Sequence, residues 1–489
     1  MSNAAVGLFI LASYMALMLW IGLRSASAGQ SNIRDYAVAS SSFGIFVLTL
    51  TFCATYHSAY AFLGTTGFIY KNGIGWWVNG IWTVLPGVIF WVWGRRVWYL
   101  GQKYGYLSMG DLVTGVYGSK WLGLLVTLVG IVFTIPYIAM QAIGSGYIFQ
   151  SISSGILSYE VGTFIFFTIM VLYVWMGGLR AVAWTDAAQG VWMFVMILIG
   201  GYLIALKGFG GFTPLFEQAA RSAPDLFTMP GPAKAVTVAD WVSRWIGILL
   251  GVMMLPQTTV RFFAGRSLRV MKWSAVMSSA YLTFLFLFTP AVGFAARLLY
   301  PDHKTPDILF PVMLLRFTPM VFASLVIAGA LAASMSTGDS QLHAASILLA
   351  NDVYKRHLNP KAGDARVYSV ARAMVIVLGI ISVAMALKRP GLLGDILAIA
   401  TSGATVLVPT VVGALYWPRS TVAGALSSII LGEAAVIYTT FYNKNPFGLL
   451  PGFWGTAVSL VVFIVVSLLT KSSRATEQIV TDLNRYFAD

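Results

Sequence analysis

Charge is scarce in this chain of 489 residues. Asp, Glu, Lys and Arg make up 10% of it, while 58% is hydrophobic. A soluble domain carries about 25% charged residues, so too little polar surface is present to face water. The shortage excludes a secreted enzyme and a disordered chain. Cysteine is nearly absent as well: the single Cys53 lies in an apolar stretch, which excludes an intrachain disulfide and a thiolate metal cluster. The four histidines, His57, His303, His343 and His357, are far apart and form no HxxxH or HxxE pair. A zinc or haem centre therefore lacks its ligands. The formal net charge is +14, yet no basic run offers a grip for nucleic acid. No nucleophile–base pair of an enzyme stands out either.

What is plentiful is apolar sequence. At about 20 residues per bilayer crossing, there are about thirteen candidate spans. They fall near 6–23, 42–68, 75–99, 121–150, 159–177, 184–206, 239–259, 271–299, 319–350, 368–387, 392–417, 421–441 and 452–470. Ala26-Ser27-Ala28 resembles a signal-peptide cleavage site, but Arg24 follows the first apolar run and no basic region precedes it, so an uncleaved helix is expected. With thirteen helices and the N-terminus outside, twenty Lys and Arg residues fall inside and ten outside. The positive-inside rule then predicts an outer N-terminus and a cytoplasmic C-terminus. The expectation is an all-α, polytopic protein of the plasma or inner membrane, with the bilayer as its partner and no obligatory protein partner. Two long outer loops are expected at 207–238 and 300–318. In the second, Ile308 to Leu315 predicts a short helix, acting as a packing lid or as a gate. No soluble output domain is expected after Lys471.

Polar groups inside a membrane are costly, so they point to function. The second span carries Thr55, Tyr56, His57 and Ser58 in its middle, with Gly64 and Gly67 beyond. A regular helix would use them in interhelical hydrogen bonds. An unwound stretch would turn them and freed carbonyls toward a cavity. The seventh span is interrupted at Gly247, Gly251 and Pro256, and the proline frees the carbonyl of Val252. Two interrupted helices at corresponding points of two halves mark a transporter site at a repeat interface. The halves then read as 42–206 and 239–417, with 1–41 and 418–489 as periphery. In the ninth span, Ser336 and Thr337 share a helical face with Ala333, Ser340 and Ala344. Two adjacent hydroxyls and a carbonyl one turn earlier suit a small hard cation such as Na+; packing between helices is the other reading.

These residues resemble the sodium:solute symporter family, which includes proline and pantothenate permeases and sodium–glucose cotransporters. The resemblance is carried by the block from Tyr173 through Gly177-Gly178-Leu179-Arg180 to Thr185-Asp186 and Gln189. It is also carried by Leu255-Pro256-Gln257-Thr258-Thr259-Val260-Arg261-Phe262-Phe263, by Met335 to Ser340 with Asn351 to Lys355, and by Ser58, Phe62-Leu63-Gly64, Gly67 and Tyr70. It implies a five-plus-five inverted-repeat core of the leucine-transporter type with broken helices. It also implies sodium as the coupling ion, held by the carbonyls of Ala54, His57 and Ala333 and the hydroxyls of Ser336 and Thr337. Asp186 matches a position on the inner sodium exit route, with capping of a helix N-terminus beside Thr185 as the alternative. Tyr56 stands where proline permeases have Asp, and Phe62, Trp76, Trp77 and Trp82 do not make a glucose-binding set.

The expected activity is sodium-coupled uptake of a small monocarboxylate or amino acid. Its solute site is expected at Thr55, Tyr56, Ser58, Gln141, Val252, Pro256 and Ser402. Proton coupling through His57 or Asp339, and a membrane sensor of the same fold, are the alternatives.

Overall fold

A computed structural model describes residues 2–26, 32–75, 83–234, 236–286, 289–389 and 391–488. Ser27, Ala28, Trp76, Trp77 and Trp82 lie outside that set, so neither the cleavage-like tripeptide nor the tryptophan set is described. All regular elements among the described residues are helical. Among the described residues nine helices are long and apolar enough to cross a membrane, or eleven when two sharply bent pairs are each counted as one span. Large apolar side chains such as Phe9, Trp20, Ile380 and Val461 are exposed on them, as a lipid-facing surface requires.

Eight helices position the site: α1 (Ile45–Tyr56), α2 (Thr65–Asn72), α3 (Lys120–Ile152), α4 (Tyr159–Phe209), α5 (Val238–Met254), α6 (Pro256–Ala264), α7 (Met320–Ile347) and α8 (Leu393–Ser402). Hydroxyl caps start several of them. Ser119, Ser158 and Thr237 each accept the N–H three residues on, satisfying a donor that has no helical partner. Helix α7 runs through the centre and is buried along almost its whole length.

The nine-to-eleven count differs from the thirteen spans expected, for two reasons. The span expected at 75–99 begins in undescribed residues and continues as two short helices, Leu85–Val92 and Gly94–Tyr104. The spans expected at 159–177 and 184–206 run together as the 51-residue α4. At 1.5 Å per residue that is about 75 Å, far more than a hydrocarbon core of about 30 Å. The chain instead folds back at Gly178, whose φ of 53° and ψ of −147° are not helical. Two contacts demonstrate the reversal. Tyr173 donates its hydroxyl to Oδ2 of Asp339 at 2.7 Å, and Ser340 donates to Oδ2 of Asp186 at 3.4 Å. Residues 173 and 186 thus reach neighbouring positions of α7, although a straight helix would separate them by about 20 Å. A Cβ at position 178 would lie 2.3 Å from the Tyr36 ring.

Helix α1 and the segment Tyr60–Gly75 meet at 56°, and α5 meets α6 at 52°. Both breaks fall where the polar run and Pro256 predict them. The short helix expected in the second long loop is Leu309–Phe317.

Candidate functional site

Helix α1 stops because His57 is extended, with φ −89° and ψ 109°. In a continuous helix the N–H groups of residues 59, 60 and 61 would serve the carbonyls of 55, 56 and 57. All three are diverted. Ala59 donates to Oε1 of Gln141 at 2.9 Å, Tyr60 to Oγ of Ser58 at 3.2 Å, and Ala61 to the Ser58 carbonyl at 2.9 Å. The carbonyls of Thr55, Tyr56 and His57 lose their helical donors. Gln141 is a clasp across this break, since its Nε2 donates to the Tyr137 carbonyl at 3.0 Å.

Two hydroxyls of α7 face those carbonyls. Oγ1 of Thr337 is 2.8 Å from the His57 oxygen, 3.2 Å from that of Thr55 and 3.4 Å from that of Ala54. Oγ of Ser336 is 2.9 Å from the Ala54 oxygen and 3.4 Å from that of Ala333. Each hydroxyl has one proton to give. Two protons therefore meet four carbonyl oxygens, and every residue of the set except Thr55 (2%) is at most 1% exposed. The result is a dry cluster rich in lone pairs and poor in protons. Its donors are hard and neutral, which is the chemistry a monovalent cation such as Na+ takes.

The break between α5 and α6 is a proline effect. Pro256 has no N–H to give the Val252 carbonyl, and the N–H groups of Thr258 and Thr259 both turn to Leu255 at 3.1 Å. Between the two breaks lies a cavity of about 30 Å³, lined by Tyr56, His57, Ser58, Tyr137, Val252 and Phe286 among others. That is about the space of one water molecule.

The structure divides the expected solute residues. Tyr56, Ser58 and Val252 line this cavity together. Thr55 points the other way, its Oγ1 2.9 Å from Oγ of Ser340. Gln141 is used up as the clasp, and Pro256 acts through the backbone. Ser402 donates to the Ala398 carbonyl at 2.6 Å and lines a separate cavity of about 330 Å³ with Arg244, Asp395 and Lys444.

Asp186 lies inside the second arm of α4, not at a helix start, and Thr185 bonds back to the Ala181 carbonyl at 2.9 Å. The capping alternative is corrected accordingly. Oδ2 of Asp186 instead accepts from Thr51 at 2.5 Å and from Nη2 of Arg261 at 3.1 Å. Arg261 is one of the twenty cations that the loop count assigns to the inner side, yet it is wholly buried in α6. The signal for this was a lone charge between Val260 and Phe262-Phe263, just after a helix-opening proline. Around the pair, further buried polar atoms have no partner among the described residues. They are Oδ1 of Asp186, Oδ1 of Asp339, Nε of Arg261 and both amide atoms of Gln257 and Gln341.

A model of the sodium:solute symporter family matches residues 36–432. The sodium/pantothenate symporter of Escherichia coli (strain K12) is 28% identical over 471 residues, covering 93% of this chain and 95% of the relative. The sodium/proline symporter of the same organism is 26% identical over 483 residues, covering 95% and 92%. A substrate-bound, outward-open Na+-coupled sialic acid symporter superposes with a TM-score of 0.82 at 19% identity, over 96% of this chain and 99% of that one.

Proposed function

Because the chain belongs to the sodium:solute symporter family, we propose that it couples sodium entry to uptake of a small monocarboxylate or amino acid. The family and its relatives are transporters, not enzymes. One observation carries the ion assignment: two hydroxyl protons among four buried carbonyl oxygens at the break of α1. Sodium relieves that excess of lone pairs, held by the carbonyls of Ala54, His57 and Ala333 and the hydroxyls of Ser336 and Thr337. Its binding ties the broken end of α1 to α7 and so shapes the adjoining cavity.

The solute sits against Tyr56, Ser58 and Val252. A carboxylate is favoured because the solutes named for the relatives, proline and pantothenate, both carry one. The freed end of a broken helix holds such a group without a charged side chain. Release of sodium runs inward past Asp186, a route supported by the buried polar atoms there that have no partner among the described residues. Arg261 must leave Oδ2 of Asp186 for the ion to pass, which makes the pair an inner barrier. The halves 42–206 and 239–417 each open on a bent helix pair, which supports the inverted repeat. The N-terminus outside and the C-terminus in the cytoplasm follow from the charge bias of the loops. Each sodium entering across 100 mV supplies about 2.3 kcal/mol.

Uptake of radiolabelled carboxylates and amino acids into proteoliposomes tests the reading. Accumulation is expected with an inward sodium gradient. Accumulation driven by a pH gradient without sodium would replace sodium by the proton.

A further inference from the structure

His57 has a second role that its backbone carbonyl does not exhaust. Its Nδ1 lies 3.0 Å from the carbonyl oxygen of Cys53. A carbonyl has no proton to give, so Nδ1 is the donor and carries the hydrogen. In the neutral ring this leaves Nε2 as a bare lone pair. The ring is packed among Tyr281, Phe286 and Tyr56, and among the described residues no carboxylate lines the cavity to pair with an imidazolium. Nε2 is buried without a hydrogen-bond partner among the described residues, and His57 lines the small chamber between the two helix breaks. An acceptor in that position has no use in packing, and a buried polar atom left unmet is costly.

The complementary group is next to it. The hydroxyl of Tyr56 is also buried without a partner among the described residues, and Tyr56 lines the same chamber. The two rings have centroids 6.2 Å apart and are nearly perpendicular. One supplies a lone pair and the other a proton, and the rest of the wall sets the hydroxyl-bearing Ser58, Tyr60, Thr83 and Tyr137 among the apolar Ala61, Ile248, Val252, Phe286 and Leu397.

Resting on the sodium-symport reading above, we infer that Nε2 of His57 is a specificity determinant that requires a hydrogen-bond donor on the solute. The class selected is small carboxylates bearing a hydroxyl or ammonium on the carbon next to the carboxylate. The solute's O–H or N–H donates to His57 while Tyr56 donates to a carboxylate oxygen. Plain alkanoates of the same size leave Nε2 unmet and are rejected, because a site built around a polar contact discriminates strongly against analogues that lack it.

The test uses the full chain in detergent or nanodiscs, with thermal shift and tryptophan fluorescence as readouts. The probes are matched pairs: lactate against propionate, alanine against propionate, proline against cyclopentanecarboxylate, each with and without sodium chloride. In at least one pair, the donor-bearing member is expected to bind tenfold or more tightly in sodium. His57→Phe, which keeps a ring and removes the acceptor, brings that ratio close to one. His57→Gln, whose Oε1 can accept, retains part of it. Equal binding within every pair by the unaltered protein overturns the inference, as does an undiminished ratio in His57→Phe. Should His57→Phe fail to fold, an undiminished ratio in His57→Ala overturns it equally. A melting temperature indifferent to sodium counts against the symport reading itself. A sodium shift with no response to any pair overturns only this inference.

Discussion

Nη2 of Arg261 lies 3.1 Å from Oδ2 of Asp186, and both side chains are wholly buried. The pair joins α6, the second half of a broken helix, to the folded-back arm of α4. Nη2 also reaches Thr51 of α1 and Ser340 of α7, so four helices converge on one guanidinium.

Removing one member strands the other charge in a dry interior, which costs about 3–5 kcal/mol. Asp186→Asn and Arg261→Gln are each expected to lower the midpoint of chemical denaturation and to abolish coupled uptake. The double variant Asp186→Leu with Arg261→Met should be more stable than either single one, since no charge remains unpaired. A double variant less stable than both would show that the pair is not acting as a pair.

Ser336→Ala and Thr337→Ala each remove one of two hydroxyls from the oxygen cluster. A loss of about 1.4 kcal/mol in ion affinity is tenfold. Each variant is therefore expected to raise the sodium concentration for half-maximal uptake by about tenfold or more. Both together should exceed either alone. Unchanged sodium dependence in the double variant excludes these ligands.

The Gln141 clasp predicts a different phenotype. Gln141→Leu leaves the Ala59 N–H buried and unmet, at about 1–3 kcal/mol. Hydrogen exchange at residues 57–61 is expected to accelerate, with slower uptake at saturating sodium. Exchange as slow as in the unaltered chain would show that the break is held by other contacts.

Outside the spans, Asp307 ties the loop before α7 to the start of α8. Its Oδ2 accepts the Leu393 N–H at 3.1 Å, and a Cβ at Gly67 of α2 would lie 2.1 Å from its Oδ1. Burial pushes its carboxyl up to about 7 from an ordinary 3.8; the Leu393 N–H opposes this, Asp395 adds to it and Lys71 opposes it. Tyr147 of α3 also faces it. A carboxyl raised by burial stabilises the closed contact fully below the ordinary value and loses that contribution as pH rises through the raised one. Protection of residues 305–318 from hydrogen exchange should thus fall between about pH 4 and pH 7 and level off above. Asp307→Asn should abolish that slope. A slope that persists in Asp307→Asn assigns it to another group.

Much of this was legible before any coordinates. The polar run Thr55 to Ser58 and the proline at 256 announced both breaks, because a backbone that abandons its helical bonds in a membrane needs local chemistry to do so. The adjacent hydroxyls of Ser336 and Thr337 announced the oxygen cluster through helical spacing. Thr55, Gln141 and Ser402 were legible as polar but not in direction. A hydropathy pattern says that a side chain is inside the protein, whereas a small rotation of the helix decides which neighbour it meets. Gln141 and Ala59 are 82 positions apart, and Arg261 and Asp186 are 75.

From its residues alone, this chain is committed to many membrane-crossing helices, two of them interrupted, with neutral oxygen donors at mid-depth. Those properties are local, set by composition, spacing and a missing amide hydrogen. Tertiary structure decided the rest: that Gly178 reverses a 51-residue helix, that a guanidinium fills the space beside Asp186, and that Nε2 of His57 is buried with no partner among the described residues. Each of these depends on which distant helix packs alongside, and contact between remote segments is a property of the assembled bundle.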